Sequence, residues 1–362
     1  MRSSRGLLLS LGILAFVTAQ MAHEPRALAH GGHSERGGDR GRDHDDDDVD
    51  RGRGRDRVFM TEISFDVMLS DAHRYKVAGY VYASPHVRHR TIQLLVHGAT
   101  YNHSYWDAPD IHGNDYSYAR EMARRGYVVV SIDQLGAGKS DKPDGDFFSL
   151  DEAASSLHQV AQQVRRWGGR HAKLAYVGHS NGSVTSIYAQ GTYGDADLLV
   201  TTGWVHGFRG LPVDPTDPDI QAAVATPYID FRGPKRDVLM YFTPKADPSM
   251  IAYDDAQLTD SMPRRQFFDL IGVHGEITAL GPGGMTMQTR SQQVRVPTLV
   301  QVGERDDLIA PPTAGPPDEA AFYPNVRDFT KVVLPQIGHC VNLHRNHDES
   351  WDGIDRWLSA RD

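Results

Sequence analysis

Six short apolar runs constrain what this chain can become: TIQLLVHG (91–98), YVVVSID (127–133), KLAYVGHS (173–180), DLLVTTGW (197–204), VPTLVQVGE (296–304) and DFTKVVLP (328–335). Runs of this length, rich in Val, Ile and Leu, suit strands buried on both faces. Segments with helical periodicity fall between or after them: YSYAREMARRGY (116–127), SLDEAASSLHQVAQQVRRWG (149–168) with Ser149 as N-cap, a helix starting near Asn181, one around PDEAAFY (317–323), and DESWDGIDRWLSA (348–360). Two earlier runs, VFMTEISFDVML (58–69) and RYKVAGYVYAS (74–84), read as an opening antiparallel pair. Strands interleaved with helices predict an α/β domain over 58–362, a mainly parallel sheet of about eight strands with helices on both faces. The pattern lapses from about 205 to 295, where LPVDPTDPDIQ, TPYIDFRGPKRDVLMYF and RRQFFDLIG are rich in Pro and aromatics. That stretch reads as a cap insertion over one sheet edge, its aromatics forming either a private core or a pocket lining.

The chain opens MRSSRGLLLSLGILAFVTAQMAHEPRALAH: two arginines, an apolar run from Leu7 to Val17, then small residues. This is the layout of a secretory signal peptide over 1–29, with cleavage after Ala19 or Ala29, and it predicts a secreted or periplasmic protein. The apolar run falls short of the roughly 18–20 residues a spanning helix needs, so no stable membrane insertion is expected once the signal is removed. Residues 30–57, HGGHSERGGDRGRDHDDDDVDRGRGRDR, hold almost nothing apolar and read as a disordered tether. The run from Asp45 to Asp48 lacks the turn glycine of a calcium loop, so no metal site is expected there. A single cysteine, Cys340, permits no internal disulfide and reads as a small buried hydrophobe.

A formal net charge of −9 with no basic stripe argues against nucleic-acid binding. The stretch IDQLGAGKSD (132–141) ends like a phosphate-binding loop. Asp133 stands where that loop needs its first glycine, and DKPDGD follows where its helix must start, so no nucleotide is expected.

Chemistry concentrates at the ends of the apolar runs. Gly178-His179-Ser180-Asn181-Gly182 is G-x-S-x-G at a strand-to-helix junction, where small flanking residues let a serine stand exposed on a sharp turn. A serine hydroxyl needs a base to take its proton and a carboxylate to orient that base. VQVGERDDLIAPP offers Asp306, with its neighbour Asp307 as the alternative acid, in the loop after one strand. VVLPQIGHCVN offers His339 in the loop after the next, favoured over His344 and His347 by Gly338 and by its distance from the strand. A developing oxyanion needs backbone donors: the Asn181 N–H directly after the serine, and the Ala99 N–H in LLVHGATYNHSYWD, with Thr100 the weaker choice. His97 reads as a structural hydrogen-bonding residue.

Together these segments resemble the α/β-hydrolase superfamily: VHGATYNHSYW its His-Gly oxyanion strand, DQLGAGKSD its Asp-x-x-Gly-x-Gly-x-Ser turn, GHSNG its nucleophile elbow, GERDDLIAP its acid loop and IGHC its histidine loop. The resemblance implies the α/β-hydrolase fold, a triad of Ser180, Asp306 and His339, and Ala99 and Asn181 as oxyanion donors. It calls for no cofactor and no metal, and a cap would shape the substrate pocket. Serine at the nucleophile position, where haloalkane dehalogenases and epoxide hydrolases carry aspartate, argues against those two activities. The expected activity is a secreted serine hydrolase acting on a carboxylic ester, lactone or related acyl bond of a small or medium-sized apolar substrate. The alternatives are an amide, thioester or carbon–carbon bond hydrolase, an acyltransferase, or a non-catalytic binding protein on the same scaffold. Lys139→Ala is expected to leave activity nearly intact; a nucleotide-dependent activity abolished by that change would overturn this reading.

Overall fold

The computed structural model describes residues 57–206, 216–271, 289–309 and 318–362. The expected leader at 1–29 and, apart from Arg57, the expected tether lie outside the described residues. Eight strands form one sheet: β1 (Phe59–Met68), β2 (Arg74–Ala83), β3 (Thr91–Val96), β4 (Val128–Ile132), β5 (Lys173–His179), β6 (Leu198–Thr202), β7 (Thr298–Gly303) and β8 (Phe329–Leu334). Their spatial order is β1-β2-β4-β3-β5-β6-β7-β8. β1 pairs antiparallel with β2, and β2 antiparallel with β4. All pairs from β4 to β8 are parallel. The expected architecture is therefore the one observed, and the carboxyl ends of β3 to β8 open toward one edge.

Side chains one residue apart on these strands enter different cores, as a period of two requires. On one face Leu94, Val96, Val128, Val130, Ile132, Leu174 and Tyr176 pack with α2 (Leu150–Gly168) and α3 (Asn181–Tyr193). On the other, Leu95, Val129, Ala175, Val177 and Leu299 pack with α1 (Tyr118–Arg124) and the C-terminal helix Asp348–Ser359. In α2 the buried residues Leu150, Ala153, Ala154, Leu157, Val160, Ala161 and Val164 follow helical spacing, and Ser149 caps the first turn by accepting the Glu152 N–H. α3 approaches β3 so closely that a Cβ on Gly182 would lie 2.1 Å from the Val96 carbonyl oxygen. Only glycine allows that helix to sit on that strand.

No helix starts after the Gly-Lys-Ser of 138–140; the chain turns until α2 begins at Leu150. Between β6 and β7 the described residues form short pieces: α4 (Pro218–Ala223), α5 (Pro234–Met240), α6 (Pro248–Tyr253) running into a π turn at Asp254–Leu258, and α7 (Arg264–Ile271). Tyr228–Ile229 pairs with Met262–Pro263 in a two-residue ladder. The segment binds the domain through polar contacts: the Asp260 N–H donates to the Thr100 carbonyl, Arg264 pairs with Asp146, and the Leu150 N–H donates to Asp269. The helix expected at 317–323 is shorter than anticipated, a single 3-10 turn at Glu319–Phe322. Pro324 follows Tyr323, which it forces out of the helical region (φ −121°, ψ 56°). With that turn unnumbered, the C-terminal helix is α8. No helix among the described residues is long and apolar enough to cross a membrane.

Candidate active site

Ser180 leaves β5 with φ 52° and ψ −119°, a left-handed backbone that a side-chain-bearing residue adopts only under constraint. The constraint is visible. The Ser180 N–H donates to the Thr202 carbonyl at 2.8 Å, and α3 starts at the next residue. Ser183 Oγ donates to that same carbonyl at 3.0 Å and accepts the Thr202 N–H at 3.2 Å, fastening the first turn of α3 to the end of β6. A Cβ on Gly98 would stand 3.2 Å from the Ser180 Cβ, so the loop after β3 passes directly beside the serine.

His339 and Asp306 come to Ser180 from the loops after β8 and β7. His339 Nε2 lies 2.9 Å from Ser180 Oγ, and its Nδ1 lies 2.9 Å from Asp306 Oδ2. The other carboxylate oxygen, Asp306 Oδ1, accepts the Ile309 N–H at 2.9 Å. The two loops are themselves joined, the Arg305 N–H donating to the Ile337 carbonyl at 2.9 Å. Asp306 and His339 are buried, whereas Asp307 points outward and is exposed. The geometry thus separates the two adjacent acids. A burial-protected carboxylate behind an imidazole holds its ring orientation and favours the imidazolium that forms when it takes a proton.

The loop after β3 is set by a neutral histidine. His97 Nε2 accepts the Gln134 N–H at 2.9 Å, so the proton is on Nδ1, which donates to the Gly98 carbonyl at 2.8 Å. Burial holds His97 below its ordinary pKa, consistent with that neutral state. Because a peptide is planar and trans, fixing the Gly98 carbonyl also fixes the Ala99 N–H, which points the opposite way. Thr100 follows with φ 54°, its carbonyl held by the Asp260 N–H at 2.8 Å. Asn181 is buried, and as the first residue of α3 its N–H is one of those a helix leaves unpaired.

Asp133, buried, supports both neighbouring loops: it accepts the His103 N–H (2.8 Å), the Lys139 N–H (2.8 Å) and the Tyr80 hydroxyl (3.1 Å), with His103 Nδ1 at 2.7 Å. Burial opposes its charge, but the His103 and Lys139 hydrogen bonds prevail and hold its carboxyl below the usual range. Lys139 itself is exposed and pairs with Glu62 at 2.6 Å.

Several residues near the site carry no signal in the sequence pattern. Arg236 of α5 and Asp254 of the π turn form a fully buried ion pair at 2.8 Å. Tyr101 and Tyr241 donate their hydroxyls to the same Asp254 oxygen at 2.9 and 2.6 Å, and the Tyr101 hydroxyl also meets Cys340 Sγ at 3.1 Å. The cluster therefore joins the 205–295 segment to the residues following both His97 and His339. Cys340 is buried, as expected of a small buried side chain, and burial pushes its thiol up. His179 stacks on Tyr105 at 4.4 Å between ring centroids and is held well below its ordinary pKa by burial and by His339 and His97. His347 Nδ1 bonds the His344 carbonyl at 2.7 Å, and neither His344 nor His347 approaches Ser180 in the way His339 does.

The family model Hydrolase_4, described as serine aminopeptidase, S33, matches residues 112–345. The chain belongs to that family and hence to the α/β-hydrolase superfamily. Solved structures share the fold at low identity. An Acinetobacter baumannii AYE protein assigned as a lipase is 14% identical (TM-score 0.54), covering 90% of this chain and 100% of its own. A bromoperoxidase from Bacillus anthracis is 16% identical (TM-score 0.54), covering 83% and 100%. A membrane phospholipase A described as a bacterial virulence factor is 16% identical (TM-score 0.51), covering 86% and 89%. A comparison with curated protein sequences gave no match.

Removing one partner of the buried ion pair strands the other charge. Arg236→Met is expected to cost about 3–5 kcal/mol in urea denaturation, and the double change Arg236→Met/Asp254→Leu to recover at least half of that. A single variant as stable as the parent would contradict the role given to the pair.

Proposed function

We propose that this hydrolase-family protein is a secreted serine hydrolase cleaving a carboxylic ester, lactone or related acyl bond. The observation that carries this reading is the unbroken chain from Ser180 Oγ to His339 to Asp306, with both links at 2.9 Å and the serine on a constrained turn. In the proposed reaction His339 Nε2 takes the Ser180 proton as Oγ bonds to the acyl carbon. Charge collects on the acyl oxygen, where the N–H groups of Ala99 and Asn181 receive it, each such donor being worth roughly 3 kcal/mol. Collapse breaks the bond to the leaving group, which departs with the proton from His339. Water, deprotonated by His339, then adds to the acyl-enzyme and releases the acid while Ser180 regains its hydrogen.

The 205–295 segment acts in this reading as a cap, its aromatic composition suiting a small or medium-sized apolar acyl group. Lipolytic activity is what the names of two of the fold neighbours state for those proteins; for this chain the ester reading rests on the site. The printed description of the family names an aminopeptidase, so peptide bonds are the second reading to test. The Arg-led apolar leader supports export.

Turnover of p-nitrophenyl esters of graded chain length is expected, falling by about 10⁴ or more in kcat/KM in Ser180→Ala, with fluorophosphonate labelling confined to Ser180. Aminoacyl p-nitroanilides cleaved in preference to esters would move the reading to peptide bonds, and no Ser180-dependent turnover of either would sink it. Intact mass of the exported chain should show residues 1–19 or 1–29 removed; retention of both on the exported protein would contradict the leader assignment.

A further inference from the structure

His344 follows the same strand as His339, but its geometry gives it a different task from that of a base. The ring is fully buried. Its Nε2 accepts two backbone N–H groups, from Gly338 and from Phe242, each at 3.0 Å. A nitrogen accepting two N–H donors carries no proton, so Nδ1 does, and it donates to the Cys340 carbonyl at 2.8 Å. One neutral imidazole thus grips the Ile337–Gly338 and Cys340–Val341 peptide groups, one residue to either side of His339, and through the Phe242 N–H ties them to the segment after α5.

The surroundings leave that grip little slack. A Cβ on Gly338 would lie 2.6 Å from the Phe242 nitrogen and 3.0 Å from His344 Nε2, so only glycine admits the ring to its place. The Cys340 N–H donates to the Met240 carbonyl at 3.0 Å, the Arg345 N–H to the Lys245 carbonyl at 2.9 Å, and Ala246 bridges His344 antiparallel. The charged and titratable groups bearing on the ring are Asp306, His347 and His339, with the Tyr241 ring tilted against it at 5.6 Å. Burial pushes His344 down to about 4, so the grip stays neutral across the range in which a histidine base works.

We propose that His344 is a positioning residue: by holding the Gly338 N–H and the Cys340 carbonyl it fixes the backbone of His339, and through Phe242 it makes that position depend on the 205–295 segment. The inference rests on the reading of Ser180 and His339 given above. His344 touches neither substrate nor reacting atoms in this account, and its effect passes through the Ser180–His339 distance.

The test compares His344→Leu, which loses both the acceptor and the donor, with His344→Gln, whose amide oxygen and nitrogen supply one of each. The probes are a fluorophosphonate for Ser180 labelling rate and p-nitrophenyl butyrate for turnover, normalised to titrated active sites so that unfolded material does not count. His344→Leu is expected to lower both the labelling rate and kcat on the order of 10²-fold, with KM changed less than threefold, since small misplacements of a catalytic group cost about that much. His344→Gln is expected to recover at least tenfold of the loss. Normalised kcat and labelling in His344→Leu equal to the parent's would overturn the proposal while leaving Ser180 as nucleophile. A loss that His344→Gln does not relieve at all would also overturn it, pointing to packing rather than to the hydrogen bonds. A parent enzyme in which Ser180 is never labelled would overturn the functional reading, and this inference with it.

Discussion

The left-handed backbone of Ser180 is held by the 2.8 Å hydrogen bond from its N–H to the Thr202 carbonyl and by the immediate start of α3, whose Ser183 and Val184 N–H groups donate to the Ser180 carbonyl. Much of the molecule follows from keeping that turn in place. α3 must approach β3 without a side chain at Gly182, the loop after β3 must pass beside Ser180 at Gly98, and Ser183 must fasten the helix to β6. The parallel sheet supplies what one turn cannot: it brings the loops after β7 and β8 to the same edge, where Asp306 and His339 meet the serine. A residue held in a costly conformation needs surroundings that over-determine it. Here those surroundings are two packed cores and a set of backbone hydrogen bonds between loops.

The parts that were legible in the sequence are those governed by local repetition. Buried strands announce themselves by runs such as YVVVSID, and α2 by its spacing of apolar residues behind Ser149. Gly-x-Ser-x-Gly was legible because a strained turn restricts which residues fit. The choice between Asp306 and Asp307 was not, since neighbouring residues on a loop differ only in which way they face; the fold turns Asp306 inward and leaves Asp307 in water. Arg236 and Asp254 were invisible for a different reason. They sit 18 positions apart in a segment without periodicity, and nothing local marks a charged side chain as buried. The run ending at Tyr323 forms only a 3-10 turn at Glu319–Phe322, because the halt imposed by Pro324 outweighs the helical propensity of so few residues.

Neutral histidines recur around the site with a common logic. His97 and His344 each accept backbone N–H on Nε2 and donate from Nδ1 to a backbone carbonyl. Burial favours the uncharged ring in both, and the uncharged ring is the only form able to make both bonds. One such ring sets the direction of the Ala99 N–H, and the other brackets His339. The buried Arg236–Asp254 pair holds the loop after β3 to the 205–295 segment through the Tyr101 hydroxyl, which also meets Cys340 Sγ in the loop after β8. In the proposed mechanism that segment therefore has two duties, covering the substrate and bracing the groups that react with it.

In the proposed reaction Ser180 attacks an acyl carbon whose oxygen is received by the N–H groups of Ala99 and Asn181. A crystal structure of the protein after reaction with a small alkyl phosphonate tests it directly. Phosphorus is expected to be bonded to Ser180 Oγ, with one phosphonate oxygen within about 3.1 Å of both backbone nitrogens. An adduct on another residue, or a phosphonate oxygen turned away from those two N–H groups, would contradict it.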